Sequence, residues 1–276
     1  MYHNQTRLSM NRLHTGFIGT GRIARALIAG LAEKENITLY GYDTVPEAIG
    51  GIAAGYPVEA CPSTAAVAGK AGIIILSVKP YQIENVLAEL RPHLTKQHLL
   101  VSVAAGISSA FIRQRSGEAQ KIIRVMPNTP AFAGEGMTAL CRGAAATVED
   151  IALAEELFSA IGRTVVLDDE RLMDAATALS GSGPAYMFHI IASLAEGGVQ
   201  QGLSRQEALL LAAQTMYGAA KMVLGGTKSP EELVSEVTTP GGTTEAGLKV
   251  MQDRNIRQIL VETVRAAADR SRELMR

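Results

Sequence analysis

Gly16-Phe17-Ile18-Gly19-Thr20-Gly21-Arg22-Ile23-Ala24 decides how this chain is read. A short apolar strand runs straight into an alanine-rich helix, residues Ile23 to Ala32, and the glycine spacing between them matches a dinucleotide fingerprint. Gly19 supplies the tight turn, and Gly21 lets backbone come close to a pyrophosphate. Ala24, where a third glycine is common, still permits close packing of helix on strand. Ile18, Gly19, Thr20, Gly21, Arg22 and Ile23 are therefore the first expected cofactor contacts. A bare glycine match is weak evidence, but a second strand, Ile37 to Tyr42, follows at the right distance and ends at Asp43. A carboxylate there can accept hydrogen bonds from an adenosine ribose. The competing reading is that Asp43 caps the next helix and points away.

Outward from this unit the alternation continues. Gly72 to Val78 reads as a buried strand, Tyr81 to Leu90 as a helix, Leu99 to Val103 and Ile122 to Met126 as strands. Met137 to Cys141, a helix from Val148 to Ile161, and Thr164 to Leu167 complete a nucleotide domain over 14–168. Strands separated by helices imply a doubly wound parallel sheet of Rossmann type with ligands at its carboxyl edge. Lys79-Pro80, Ala104-Ala105-Gly106 and Pro127-Asn128-Thr129-Pro130 gather there. Such small or rigid residues suit a flat nicotinamide ring and its sugars better than acid–base work. For Lys79 the alternative is a solvated loop charge.

After Asp168 strands disappear, and alanine, leucine and methionine recur at helical spacing, so 169–276 reads as an all-helical domain. Its breaks fall at Ser180 to Pro184, Gly202-Leu203-Ser204 and Gly225 to Pro230. The first is a helix entry with hydroxyl capping and proline in the first turn. Ala185 to Gly198 and Glu207 to Leu224 are apolar around much of their circumference, which points to burial against a second subunit. Near the end, Thr238-Thr239-Pro240-Gly241-Gly242-Thr243-Thr244-Glu245-Ala246-Gly247 makes a tight turn into a helix, with hydroxyls placed for capping. The amides of Gly242, Thr243 and Thr244 are expected unpaired at that N-terminus, where they and the helix dipole favour a small carboxylate. An ordinary capped helix start is the other reading.

Composition bounds the class. The chain has 276 residues, 47% hydrophobic and 19% charged, with a formal net charge of -1 and a pI near 6.5, which gives no electrostatic reason to expect nucleic acid or an anionic membrane surface. Cys61 and Cys141 lie in no metal or redox spacing, fit a reducing cytoplasm, and receive no chemistry; no metal site is expected. The polar leader Met1 to Leu13 is not a signal peptide. Met10, just before the first structured residues, marks Met1 to Ser9 as an alternative-start extension.

Together Gly16-Phe17-Ile18-Gly19, Ser77-Val78-Lys79-Pro80, Ala104-Ala105-Gly106, Met126-Pro127-Asn128-Thr129-Pro130, Ser180-Gly181-Ser182-Gly183-Pro184-Ala185-Tyr186 and Pro240-Gly241-Gly242-Thr243-Thr244 occur in an order that resembles pyrroline-5-carboxylate reductase, from Gly16 to Glu273. The resemblance implies a Rossmann domain, a helical dimerisation domain and often rings of dimers, with each active site between one subunit's cofactor and helices of both subunits. It implies reduction of the cyclic imine 1-pyrroline-5-carboxylate to L-proline, the last step of proline biosynthesis, by NADPH or NADH. By the same resemblance the substrate carboxylate lies on Gly242, Thr243 and Thr244, Thr244 contacts the ring nitrogen as the catalytic residue, and Glu170 matches an acidic residue near the substrate. Cofactor contacts extend to Asp43, Thr64, Ser77, Val78, Lys79, Pro80, Ala104, Ala105 and Asn128. Departures from common members are Ala24, Thr64 where an asparagine often meets the adenosine ribose, and Glu236. Gly41 to Glu47 holds no lysine or arginine, and Asp43 there repels a 2′-phosphate, a modest lean toward NADH.

Other readings stay in view. Beta-hydroxyacid dehydrogenases share the layout but place asparagine three residues after a helix lysine, whereas Lys221 is followed at that distance by Leu224. A reductase of a six-membered cyclic imine differs by one methylene, worth only about 1 to 3 kcal/mol of discrimination. A nucleotide-sensing scaffold without turnover would need only the first domain.

Overall fold

A computed structural model describes residues 12–274; the leader, with its alternative-start reading, lies largely outside them. The chain opens with β1 (Leu13–Ile18), α1 (Arg22–Leu31), β2 (Ile37–Tyr42), α2 (Pro46–Ala53), β3 (Val58–Ala60), α3 (Thr64–Ala68), β4 (Ile73–Leu76), α4 (Ile83–Leu90), β5 (Leu99–Ser102), α5 (Ser109–Ser116), β6 (Lys121–Met126), β7 (Gly136–Arg142), α6 (Val148–Phe158) and β8 (Gly162–Leu167). Helices follow: α7 (Met173–Ala176), α8 (Gly183–Gln200), α9 (Arg205–Leu224), α10 (Pro230–Glu236), α11 (Thr243–Asp253) and α12 (Ile256–Leu274).

The strands form one sheet in the order β3-β2-β1-β4-β5-β6-β7-β8. Its central strands read as unbroken apolar runs because helices cover both faces. Alternate residues split between two cores: Phe17, Ile73, Ile75, Leu99 and Val101 on one face, Ile18, Ile74, Leu76 and Leu100 on the other. Helix α1 packs through Ala24, Leu27, Ile28 and Leu31, a helical i, i+3, i+4, i+7 stripe, all buried. Winding reverses between β1 and β4, so a crevice opens beyond their carboxyl ends.

One expectation is corrected. The sheet is not wholly parallel, since β6 pairs with β7 antiparallel. Residues 127–135 are too few for a crossover, which takes a dozen or more, and form only a short 3-10 turn, Thr129–Ala133.

Among the described residues, contacts divide the chain into one unit of 12–181 with 268–274 and a second of 182–267, whereas sequence texture puts the boundary at 168/169. Helix α12 contributes to both. In the second unit, capping boxes start α9 (Ser204 with Glu207) and α10 (Ser229 with Glu232). Helix α8 corrects the expected entry: Pro184 is in its first turn, but Ser182, the residue before it, makes no side-chain cap, because the preceding π-helical turn Thr177–Gly181 already runs into it. Only Gly183, Ala195 and Ala208 of this unit are buried, whereas Phe188, Leu210 and Val250 are more than half exposed. Four helices and most of a fifth, with no large buried side chain, have too little apolar burial to offset chain entropy. Expressed alone, residues 182–267 are expected to show no cooperative melt by circular dichroism as a monomer; a cooperative monomeric melt would contradict this reading of the burial.

Candidate functional site

A cleft of about 570 Å³ lies at the winding reversal. Its floor is the end of β1 and its walls are the segments that follow β2, β4 and β5: Ile18, Gly19, Gly21, Arg22, Ile23, Asp43, Thr64, Ser77, Val78, Lys79, Pro80, Ala104 and Ala105 all line it. Gly19 holds φ +86°, and a Cβ there would sit 2.7 Å from the Ser77 carbonyl oxygen, so only glycine permits this turn. Helix α1 starts at Gly21 without a side-chain cap. The amides of Gly21, Arg22 and Ile23 therefore meet no protein acceptor among the described residues, and the dipole of a ten-residue helix stands behind them. This cradle fits a pyrophosphate.

Two expected contacts are displaced from the cleft. Thr20 is buried, and both its amide (2.7 Å) and its hydroxyl (2.8 Å) donate to Asp43 Oδ2. Thr20 thus orients Asp43 from outside the cleft lining. Asn128 is a strut: its Nδ2 donates to the Ser180 carbonyl at 3.2 Å, and its Oδ1 accepts the Met137 amide at 2.9 Å. The capping reading of Asp43 is corrected: the N-cap of α2 is Val45, with no side-chain bond, and Asp43, whose Oδ1 accepts the Val45 amide at 3.0 Å, lines the cleft. Burial pushes its carboxyl up, but the Thr20 and Val45 amides, the Thr20 hydroxyl and the Arg25 charge outweigh that and hold it below its ordinary value.

Tyr42, Thr44, Gln82, Asn85, Val86, Glu89 and Val103 also line the cleft and were not expected. A signal existed for four of them: Gln82, Asn85, Val86 and Glu89 recur at i, i+3, i+4 and i+7 beyond Lys79-Pro80, which is one face of the α4 segment. Glu89 also accepts the Thr64 hydroxyl at 3.3 Å. Arg22 stacks over the Phe132 ring, 5.1 Å from its centroid.

At the second candidate, the start of α11, the expected amide set is corrected. Gly242 donates to the Thr239 carbonyl at 2.9 Å and serves as N-cap with no hydroxyl cap. Glu245 folds back onto the Gly241 amide at 2.7 Å. The amides of Thr243 and Thr244 remain without a protein acceptor among the described residues, beside a half-buried Thr244 side chain. The anion-binding reading of this turn therefore rests on those two amides.

Glu170 lines neither place. It accepts the Ser109 amide at 2.7 Å, the Ser109 hydroxyl, and Arg124 Nη1 at 2.6 Å. Burial works to raise its carboxyl, but the Ser109 hydroxyl and amide and the Arg124 guanidinium hold it below its ordinary value. Arginine inside the apolar run Ile122-Ile123-Arg124-Val125-Met126 is the sequence signal for such a buried partner.

Sheet, glycine turn and cleft define a nicotinamide-dinucleotide oxidoreductase with an appended helical unit. The comparisons narrow the class. A family model described as "Pyrroline-5-carboxylate reductase dimerisation" matches residues 170–274, and one described as "NADP oxidoreductase coenzyme F420-dependent" matches residues 14–106. The pyrroline-5-carboxylate reductase of Pisum sativum is 41% identical over 265 residues, covering 94% of this chain and 95% of that one. Among solved structures, that of a pyrroline-5-carboxylate reductase from Coxiella burnetii superposes with a TM-score of 0.91 at 34% identity, covering 96% of this chain and 100% of that one. The Plasmodium falciparum pyrroline carboxylate reductase with NADP bound gives 0.85 at 30% identity, covering 96% and 99%. This chain belongs to the pyrroline-5-carboxylate reductase family.

Glu170→Ala leaves Arg124, 7% exposed at its side chain, without its partner and is expected to destabilise the fold by about 3 kcal/mol. Because the folded Glu170 carboxyl lies below its ordinary value, its contribution is complete above about pH 5 and fades as pH falls below about 4. Denaturant melts of both proteins across that range check this; an equal gap at pH 3 and pH 7 would contradict it.

Proposed function

We propose that this protein reduces 1-pyrroline-5-carboxylate to L-proline, the last step of proline biosynthesis, acting in the cytoplasm as a dimer or ring of dimers. The observation that carries the reading is the start of α11, where two unpaired amides and a hydroxyl stand together in a chain that also holds a dinucleotide cleft. The Thr243 and Thr244 amides hold the substrate carboxylate, with Gly242 as the cap that presents them. The Thr244 hydroxyl oxygen accepts the N–H of the protonated imine. A bound nicotinamide dinucleotide supplies the hydride that adds to the imine carbon, and the C=N π electrons pass to nitrogen as the amine forms. No strong protein base is needed, because the iminium is electrophilic before hydride arrives; Thr244 and the amides contribute position and charge complementarity. Glu170 acts through Arg124 and Ser109, tying the interior strand β6 to the start of α5.

The apolar exposed faces of α8 and α9 and the match of 170–274 to a dimerisation family support self-association. No helix among the described residues is long and apolar enough to cross a membrane.

For the cofactor we propose that NADH serves at least as well as NADPH. In support, the Asp43 carboxylate is held ionised at the cleft, and Glu89 lines the same wall. Against it stand Arg22, a cation at the cleft, and the Plasmodium relative, which has NADP bound. Asp43→Ser should move the kcat/KM ratio toward NADPH. A preference of the unaltered enzyme for NADPH of about a hundredfold, roughly 2.7 kcal/mol, would overturn the assignment.

Oxidation of NADH and NADPH, followed with pyrroline-5-carboxylate beside its six-membered homologue, tests the activity; turnover with neither imine would favour a scaffold. Thr244→Ala is expected to lower kcat/KM by about 1 to 3 kcal/mol in transition-state terms while dinucleotide binding stays nearly constant. Wild-type kinetics in that variant would remove Thr244 from the reaction.

A further inference from the structure

The loop Ala104-Ala105-Gly106 carries no functional group of its own, yet it walls the cleft, and its position is set from behind by a closed circuit of contacts. Gly106 stands at φ +71°, and a Cβ on it would lie 3.0 Å from the carbonyl oxygen of Leu274, in the last turn of α12. That turn is fastened one residue-triplet earlier: the Ser271 hydroxyl donates to Asp174 Oδ1 at 2.6 Å, with both residues buried. Asp174 sits on α7, a few residues beyond Glu170. Glu170 in turn accepts the amide and hydroxyl of Ser109, at the start of α5 and just past the same loop. The segment 170–174 thus grips the loop twice, once through α5 and once through the C-terminal turn.

We infer that Ser271 and Asp174, through the last turn of α12, are positioning residues for the cofactor loop Ala104–Gly106, so that the C-terminus of the chain tunes dinucleotide affinity. The physical reason is the smallness of the loop. Alanine and glycine present backbone to a flat ring, and a backbone wall has no side chain that can rearrange to follow a displaced ligand. A hydrogen bond to a buried carboxylate is among the stronger ones, and losing its donor leaves Asp174 Oδ1 without a partner. The last turn then loses its anchor, and with it the surface against which Gly106 rests.

This inference rests on the dinucleotide reading of the cleft. Fluorescence titration of the full chain with NADH and NADPH tests it without turnover, alongside steady-state kinetics. Ser271→Ala is expected to raise the dinucleotide Kd and KM about five- to tenfold, with a much smaller change in the KM for the imine. Ser271→Thr, which keeps the hydroxyl, should restore most of the affinity. A merely structural hydrogen bond would lower the melting temperature of Ser271→Ala and leave dinucleotide Kd at the wild-type value; that result overturns the proposal. Should Ser271→Ala not yield folded protein, Gly106→Ala disturbs the same contact from the loop side and carries the same expectation, and unchanged dinucleotide affinity there overturns it equally. Wild-type protein that binds dinucleotide but reduces no imine would unseat the substrate assignment alone. Wild-type protein that binds neither dinucleotide would unseat both.

Discussion

Two hydrogen bonds from Thr20 to a single oxygen of Asp43 tie the turn after β1 to the end of β2, and the cleft depends on that tie. Because the Thr20 amide points at Asp43, the next three amides are the ones left to face the crevice. Gly19 can turn this way only at positive φ, with the Ser77 carbonyl against its Cα. The sheet beneath is buried on both faces, so the strand ends cannot drift, and the turn inherits their rigidity. A ligand bound here meets preformed donors and loses little in ordering them.

The same device recurs at α11 with less help. There the helix begins at a glycine, the Thr243, Thr244 and Glu245 amides meet no protein acceptor among the described residues, and the Glu245 carboxylate is occupied by the Gly241 amide. At both helix starts backbone amides are the fixed donors, and at the first Arg22 lines the cleft beside them. Small dipoles held in place can discriminate by geometry where a mobile ammonium could not. The helical unit, by contrast, is unfinished as a monomer. With alanines and one glycine as its only buried residues, it owes its stability to what covers it.

Much of this was legible in the sequence because period and punctuation carry it. The β1 glycine turn, the two-faced apolar strands, the breaks before α8, α9 and α10, and the gathering of the loops after β4 and β5 at the cleft follow from local patterns. What escaped depends on partners distant in the chain. Motif position places Thr20 and Asn128 near the cofactor but says nothing of which way an amide or a side chain points, and both, outside the cleft lining, bond to protein groups. Gly242 was counted as an open donor, although the Thr239 carbonyl three residues back closes its turn. The reversal of β7 was readable from loop length, yet the alternating pattern overrode it. The Arg124–Glu170–Ser109 network joins residues 46 and 61 positions apart, which no local pattern reports.

The proposed function stands on direct hydride transfer from nicotinamide to the carbon of a cyclic imine held by its carboxylate on the α11 turn. Reduction of pyrroline-5-carboxylate with nicotinamide cofactor carrying deuterium at both C4 positions of the reduced ring, followed by mass spectrometry and NMR of the product, tests it. One deuterium per proline is expected, at the former imine carbon and on one face of the ring, with one cofactor oxidised per product. Cofactor oxidation with no deuterium at that carbon, or with no proline formed, would contradict it.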